Sequence, residues 1–265
     1  MALYLVGTPI GNLKDVTERA KETLAKVDLV ACEDTRHTLV LMNALGLKKP
    51  LISYYKQKER EGAEKIISLL KEGKEVALVS DAGMPVISDP GAVLVKRARE
   101  EDIAVQTVPG PTAVATAAAL AGLDGGFVFL GFLPEKAADR KKRLAPFLSC
   151  PLPLAFYAGP HDVKDLIAYL YQIFGERKAY LVKELTKIHE TLTEIMLSEG
   201  YPEEARGEYV IFVEGKEAEQ PLLSLSPEEH LAHYLAEGMD KKSAIKKVAA
   251  ERGVPKDEIY KLTIN

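Results

Sequence analysis

Residues 3–12 read LYLVGTPIGN, and this stretch decides the fold. A short apolar run at residues 3–6 ends in a loop that contains Gly7 and Gly11, and a helical pattern follows from about residue 15 to residue 25. A strand, a glycine loop and a helix in this order open an α/β unit. We therefore expect strands and helices to alternate along the chain.

The alternation continues to about residue 121. Helical patterns separate four further apolar runs, at residues 29–32, 51–53, 76–80 and 104–108. Strands that are bounded by helices this regularly predict a mostly parallel sheet that is covered on both faces.

A second series begins after the glycine-rich sequence GLDGG at residues 122–126. Its apolar runs lie at residues 127–130, 154–157, 180–182 and 209–213. Past Pro221, three short helical patterns at residues 227–236, 241–251 and 255–261 are compatible with a small helix-turn-helix-like unit. We expect an N-terminal α/β domain at residues 1–115, a second α/β domain at 116–222 and a helical tail at 223–265.

Composition limits the function classes. The 265 residues are 47% hydrophobic and 28% charged, which excludes a disordered or low-complexity chain. The net charge of −4 argues against a protein that grips nucleic acid with its whole surface. Charge is segregated, however: residues 240–265 hold seven basic and four acidic side chains, for +3, and the rest of the chain carries −7.

The two cysteines and the apolar runs bear on the compartment. Cys32 and Cys150 form neither a CxxC motif nor a disulfide framework, which is typical of a reducing compartment. The longest run of small apolar residues, 112–123, is too short to span a bilayer, and the first residues do not have a signal-peptide pattern. We expect a cytoplasmic protein with no membrane contact.

Two loops at strand ends are the best candidates for ligand binding, because ligands bind at the carboxyl edge of a parallel sheet. SDAGMP at residues 80–85 follows the fourth strand and leads into a helix that Ser88 or Asp89 is placed to cap. VPGPTA at residues 108–113 makes a stiff turn followed by small residues, which lets a flat ligand approach the backbone. Tight-turn chemistry alone is the alternative interpretation of both loops.

A dinucleotide site is a competing interpretation of the first loop. Residues 7–12 and the acids Glu33 and Asp34 lie about where a Rossmann fold places its phosphate turn and its ribose-binding acid. The motif G-x-G-x-x-G is absent, and Thr8-Pro9-Ile10 replaces the small residues that approach a pyrophosphate. The sequence therefore disfavours NAD.

Several long motifs, in one order, carry a resemblance to a known family. They read LYLVGTPIGNLKDVTERA, ACEDTRHT, VALVSDAGMPVISDPG, VPGPTAVATA, GFLPEK, FYAGPHDVKDL and VKELTKIHET. Over roughly residues 3–215 the chain resembles the ribosomal RNA small subunit methyltransferase I family of the tetrapyrrole-methylase-like enzymes. The tail resembles a helix-turn-helix-like extension that some members carry.

The resemblance implies a two-domain α/β fold that holds S-adenosylmethionine in the cleft between its domains. It also implies 2′-O-methylation of a cytidine ribose in the decoding region of 16S rRNA, and a homodimer. Carried over position by position, it assigns these residues to the cofactor: Pro9, Asp81, Ala82, Gly83, Met84, Thr112, Ala113, Tyr157 and Leu185.

The reaction itself suggests the remaining candidates. Methyl transfer to a ribose hydroxyl needs alignment, a dry cleft and a group that takes the proton, and it needs no metal. Glu33 or Glu184 is expected to accept or relay the proton, with Lys183 beside them as a catalytic cation. Arg36 and Lys187, together with Lys183, are expected to hold RNA phosphates. The alternative is that Glu33–Arg36 and Lys183–Glu184 are ordinary ion pairs that orient loops.

Three functions from different classes compete. An rRNA ribose methyltransferase predicts basic accessory patches, whereas a methyltransferase acting on a corrin-like ring predicts a closed cleft and no use for the tail. A DNA-binding regulator would make the tail the functional part, but a tail of +3 neutralises few phosphates and binds weakly. The lack of a second aromatic-rich platform argues against sequence-specific capture of a single strand by this chain alone, which favours the assembled small ribosomal subunit, rather than naked RNA, as the substrate.

Overall fold

The computed structural model describes residues 1–201, 207–216 and 221–262, apart from the side chains of Pro221 and Ser224. The chain divides into two compact units, Met1–Lys216 and Glu217–Asn265. The first is unit 1 and the second is the tail unit.

Among the described residues of unit 1, the first sheet consists of five parallel strands in the order β3-β2-β4-β1-β5. Its strands are β1 (Ala2–Val6), β2 (Leu29–Cys32), β3 (Leu51–Ser53), β4 (Val76–Leu78) and β5 (Ala104–Val108). The helices that follow them are α1 (Glu18–Lys26), α2 (Thr35–Ala44), α3 (Glu59–Lys71), α4 (Ala92–Glu100) and α5 (Ala113–Leu120). The expected parallel sheet is confirmed.

Both faces of the first sheet are covered, because successive strand residues point to opposite sides. Leu3 faces a core that contains Ile66 of α3 and Leu94 of α4, all three completely buried. Tyr4 and Val6 point the other way, into a core that contains α1 and α2 side chains. Burial on both faces explains why the central strands β1, β2 and β4 read as continuous apolar runs.

The second sheet of unit 1 is mixed. Its described strands lie in the order β6-β7-β10-β8-β9, and of their pairings β6–β7 is parallel while the other three are antiparallel. The strands are β6 (Val128–Gly131), β7 (Leu154–Ala158), β8 (Lys178–Lys183), β9 (Thr191–Met196) and β10 (Tyr209–Val213). Helices α6 (Ala137–Leu144) and α7 (Val163–Phe174) belong to this half, and the core on one face includes residues of both. The other face packs against Val114, Ala117 and Ala118 of α5.

Helix α4 begins differently from what the sequence predicts. The residue before its first turn is Gly91, and neither Ser88 nor Asp89 caps the helix. The carboxylate of Glu59, at the start of α3, accepts hydrogen bonds from the backbone N–H groups of Gly91 at 2.8 Å and Val93 at 3.4 Å. The predicted cap is therefore wrong, because a side chain distant in sequence satisfies these donors and leaves Asp89 available for another role.

The tail unit is a small helical assembly with its own core. Its helices are α8 (Pro221–Ser224), α9 (Pro227–Ala236), α10 (Lys241–Arg252) and α11 (Lys256–Lys261). Leu231 and Tyr234 of α9 pack with Val248 of α10 and Ile259 of α11. Ser226 and Glu229 form a capping box at the start of α9. Throughout the described parts of both units, every helix is too short or too polar to cross a membrane.

Candidate active site

The loops that follow β1, β4 and β5 meet at the carboxyl edge of the first sheet. Thr8 and Gly83 exchange backbone hydrogen bonds of 2.8 and 3.1 Å, which join the first loop to the loop after β4. A Cβ atom on Gly7 would lie 2.7 Å from the Gly110 backbone and 2.7 Å from the Met84 sulfur. Glycine is thus required where these three loops cross.

Backbone strain is concentrated in the segments that face this edge. Val86 and Ser88, in the loop after β4, have φ angles of 78° and 70°. Glu184 and Thr186, in the loop after β8, have φ angles of 53° and 64°. Non-glycine residues adopt such angles at a cost of about 1–3 kcal/mol each, and they cluster at functional sites.

The second sheet closes the other side of the site. The Tyr157 hydroxyl, at the end of β7, accepts a hydrogen bond of 3.1 Å from the backbone N–H of Val114 in α5. The ring of Phe132 lies edge-on to Tyr157, with 5.4 Å between their centroids. A Cβ atom on Gly11 would lie 2.7 Å from the Leu185 carbonyl oxygen, so the first loop and the loop after β8 are in contact.

Together these segments enclose a cleft of about 300 Å³ between the two sheets of unit 1. Most of the residues predicted from the sequence line it: Glu33, Asp81, Ala82, Gly83, Met84, Thr112, Ala113, Tyr157, Glu184, Leu185 and Lys187. Pro9, Arg36 and Lys183 lie outside its wall, although Ile10, the neighbour of Pro9, is part of it.

Sequence reasoning missed nearly half of the cleft wall. The additional lining residues are Ile10, Ile87, Ser88, Asp89, Phe132, Ala158, Glu208, Tyr209 and Val210. Asp89 had a detectable signal, since it lies four residues after the end of the SDAGMP loop, but we assigned it to helix capping. Glu208, Tyr209 and Val210 had none, because they reach the cleft only through the antiparallel pairing of β10 with β7 and β8.

The cleft is acidic, and its carboxylates influence one another. Burial, followed by the neighbouring charges of Glu33, Asp81 and Glu208, raises the pKa of Asp89 to about 7. Burial also raises the pKa of Glu33, with a further rise from Asp81 that Lys56 opposes. At neutral pH the carboxyl group of Asp89 is therefore partly protonated and partly ionised.

Two ion pairs border the cleft. Arg36 pairs with Asp34 at 2.7 Å, and hydrogen bonds from Arg36 lower the pKa of Asp34 to about 2. The Glu33–Arg36 ion pair, which was the alternative interpretation of these two residues, is therefore wrong, because Asp34 lies near Arg36 at the start of α2 and binds its guanidinium. On the opposite side, Lys187 pairs with Glu184 at 3.0 Å.

Asp81 connects the cleft to the loop after β2. Its carboxylate accepts a hydrogen bond of 3.2 Å from the Asp34 backbone N–H and lies 3.4 Å from His37 Nδ1. The loops after β2 and β4 are thereby tied together beside the cleft. A group bound against Asp81 would touch both loops.

Known proteins resemble this chain in sequence. The family model for Tetrapyrrole (Corrin/Porphyrin) Methylases matches residues 2–199. Ribosomal RNA small subunit methyltransferase I of Halalkalibacterium halodurans is 43% identical over 270 residues, covering 98% of this chain and 93% of the relative. The protein of the same name from Thermotoga maritima is 41% identical over 220 residues, covering 81% of this chain and 99% of the relative.

Solved structures share the fold at lower identity. Uroporphyrin-III C-methyl transferase from Thermus thermophilus, complexed with S-adenosyl homocysteine, has a TM-score of 0.58 and 19% identity, covering 80% of this chain and 97% of that one. The likeness extends to the two-sheet architecture, and the sequence match is far closer to the rRNA methyltransferases. The chain belongs to the tetrapyrrole (corrin/porphyrin) methylase family and, within it, to the ribosomal RNA small subunit methyltransferase I family.

Proposed function

We propose that this protein transfers a methyl group from S-adenosylmethionine to the ribose 2′-hydroxyl of a cytidine in the decoding region of 16S rRNA. As a member of its family it is an S-adenosylmethionine-dependent rRNA methyltransferase. The observation that carries the finer proposal is the acidic cleft between the two sheets, which includes a carboxyl group whose pKa is about 7.

The residues of the cleft fit the methyl donor. Bound there, S-adenosylmethionine supplies a methyl group carried on a positively charged sulfur. The carboxylates of Glu33, Asp81, Asp89 and Glu208 favour a cationic ligand, because opposite charges attract strongly in a partly enclosed site. Tyr157 and Phe132 add aromatic surface for a flat, apolar group.

Gly83 leaves the backbone beside the cleft without a side chain. Its φ angle is +81°, and a Cβ atom there would lie 3.4 Å from Ile10. Such a cradle accepts a ligand close to the peptide groups. We therefore assign donor binding to the cleft-lining stretches Asp81 to Met84 and Thr112–Ala113, with Tyr157 and Leu185 on the opposite wall.

Asp89 is the residue that we propose as the proton acceptor. A ribose hydroxyl is very weakly acidic, so a base beside the attacking oxygen lowers the barrier. Asp89 is half-buried, and its pKa of about 7 makes it a stronger base than an ordinary aspartate while still leaving it partly ionised at neutral pH. Glu33, whose pKa is also raised, is placed to relay the proton to solvent.

The cationic residues at the border of the cleft are proposed to position the RNA. Arg36 has an 88% exposed side chain that Asp34 holds at the start of α2. Lys187 is 40% exposed and is held by Glu184. Charged donors of this kind bind phosphates without reading sequence. Lys183, at the end of β8, remains part of the proposal as a second cation near Glu184.

Two further proposals concern the cellular compartment and the oligomeric state. We propose that the protein acts on the small ribosomal subunit in the cytoplasm; the free thiols of Cys32 and Cys150 are compatible with a reducing compartment. We also propose a homodimer, which the exposed apolar side chains of Leu39 (51%) and Val40 (64%) on α2 support. Light scattering of the purified protein measures the oligomeric state directly.

The experiment that tests the function compares acceptors. The purified protein is incubated with S-adenosylmethionine labelled on its methyl group and with small ribosomal subunits from cells that lack this enzyme. Label is expected in 16S rRNA of the subunits, with much less in protein-free 16S rRNA. Label in a corrin-like tetrapyrrole, and none in the subunits, would instead support the small-molecule alternative.

A further inference from the structure

A basic groove lies in the tail unit between α10 and α11, separate from the residues of the cleft. It is lined by Lys241, Lys242, Ile245, Lys246, Lys256, Asp257 and Tyr260. Four of these side chains are lysines and one is a carboxylate, so the groove is strongly positive. Ile245 is buried and contributes to an apolar part of the lining.

Three of the lysines are available to a ligand. Lys242, Lys246 and Lys256 are exposed, and within the described part of the chain no ion pair shorter than 4 Å engages their ammonium groups. Two other positive side chains of the tail have partners within it: Arg252 donates to the carbonyl oxygens of Leu222 and Leu225, and Lys247 lies 4.2 Å from the ring centroid of Tyr234. Three lysines that lack such an ion pair, on α10 and α11, therefore line the groove.

The size of the relatives indicates that the chemistry does not depend on the tail. The Thermotoga maritima relative is matched over 99% of its own length while covering 81% of this chain. The uncovered share has about the length of the tail unit, Glu217–Asn265. A relative named for the same activity is thus shorter than this chain by a segment of about this size, which points to an accessory part.

We propose that the groove between α10 and α11 binds the phosphate backbone of the rRNA substrate, through Lys242, Lys246 and Lys256. This inference rests on the proposed function, because an rRNA substrate supplies the polyanion that the charge of the groove complements. Ammonium groups on exposed helices bind phosphates without base specificity and release condensed counterions. The groove therefore strengthens capture of the substrate, while the acidic cleft performs the reaction.

The test uses the full-length protein with all three lysines changed: Lys242→Glu, Lys246→Glu and Lys256→Glu. The variant is expected to raise the KM for small ribosomal subunits by roughly 10-fold or more at physiological salt, with kcat and the Kd for S-adenosylmethionine unchanged. Binding of protein-free 16S rRNA weakens as salt rises, and the slope of the logarithm of the association constant against the logarithm of the salt concentration is negative. The magnitude of this slope is expected to decrease by about 2 in the variant, at ~0.7 per lost phosphate contact.

Two controls separate charge at the groove from other effects. The triple variant Lys48→Glu, Lys65→Glu and Lys164→Glu makes the same change of net charge on exposed residues of unit 1, and its KM is expected to stay near that of the wild type. Replacing Lys242, Lys246 and Lys256 by arginine keeps the charge and is expected to keep the binding. Circular dichroism confirms that each variant is folded.

Each outcome decides the inference. Equal KM values and salt slopes for the wild type and the groove variant would overturn it. Weaker binding to subunits with unchanged binding to protein-free 16S rRNA would also overturn it, by assigning the groove to a ribosomal protein. Absence of methyl transfer by the wild type would refute the proposed function alone, since the rRNA binding measurement reads the groove independently.

Discussion

At the scale of single residues, Asp89 has the chemistry that the proposed reaction needs. Burial and the charges of Glu33, Asp81 and Glu208 raise its pKa to about 7. Only the carboxylate form accepts a proton, so kcat/KM for S-adenosylmethionine is expected to fall as the pH falls below about 7. Asp89→Asn is expected to lower kcat by ~10²–10⁴-fold and to abolish this acidic limb.

The control for this prediction is Asp165→Asn, an exposed substitution on α7 that leaves the cleft intact. Calorimetry is expected to show that both variants still bind S-adenosylmethionine. A pH profile for Asp89→Asn that keeps the limb and the wild-type rate would move the base to Glu33, which Glu33→Gln then tests in the same assay.

The residues of the site differ in how far the sequence could predict them. Asp81 to Met84 and Thr112–Ala113 were predictable, because each follows an apolar strand in a loop built of small residues. The raised pKa of Asp89 was hidden, because it depends on burial and on carboxylates of which two, Glu33 and Glu208, lie far from it in sequence. Glu208 reaches the cleft only because β10, which begins at the next residue, pairs with β7 and β8. The local sequence around Glu208 does not indicate that pairing.

At the scale of elements, Glu59 shows how one helix depends on another. Its carboxylate accepts from the backbone N–H groups that open α4, and it also accepts a hydrogen bond of 3.3 Å from the Tyr54 hydroxyl. Glu59→Ala is expected to lower the free energy of unfolding by about 1–2 kcal/mol, since buried donors lose their acceptor. Urea denaturation measures this loss. Glu61→Ala, at a carboxylate with a 77% exposed side chain, is the matched control and is expected to cost less than about 0.5 kcal/mol.

Gly7 is the point at which the loops after β1, β4 and β5 touch. Gly7→Ala would place a Cβ atom 2.7 Å from the Gly110 backbone, which cannot move without shifting β5 or α5. A loss of about 1–3 kcal/mol of stability is expected, together with weaker binding of S-adenosylmethionine by calorimetry. Gly159→Ala adds a Cβ atom at an ordinary distance of 3.4 Å from Asp162 and is expected to change neither quantity. Wild-type behaviour of Gly7→Ala would show that the loops are not held as described.

The elements also show where sequence patterns fail. The central strands β1, β2 and β4 of the first sheet were predicted because both of their faces are buried and their runs are continuously apolar. Strand β9 was missed, because it is a mostly exposed edge strand whose described pairing is with β8 alone. Polar residues such as Thr191, Thr193 and Glu194 give it no apolar pattern to detect.

At the scale of the whole molecule, opposite charges are concentrated in different parts of the chain. The sequence revealed an acidic body and a basic tail, and the structure gives each a place: carboxylates line the cleft of unit 1, and lysines line the groove of the tail unit. An acidic cleft suits a cationic donor, but it repels a phosphate backbone. Binding of RNA must therefore depend on basic residues at the border of the cleft and on other surfaces. The domain boundaries at residues 115 and 222 remain a prediction.

The central claim is that the cleft methylates a ribose oxygen of cytidine, and the identity of the product nucleoside tests it most directly. After methyl transfer to small ribosomal subunits, the 16S rRNA is digested completely to nucleosides, which are separated and identified by mass spectrometry. The account predicts label in a single species, 2′-O-methylcytidine, that is strongly reduced with Asp89→Asn. Label on a base, or on the ribose of another nucleoside, would contradict it.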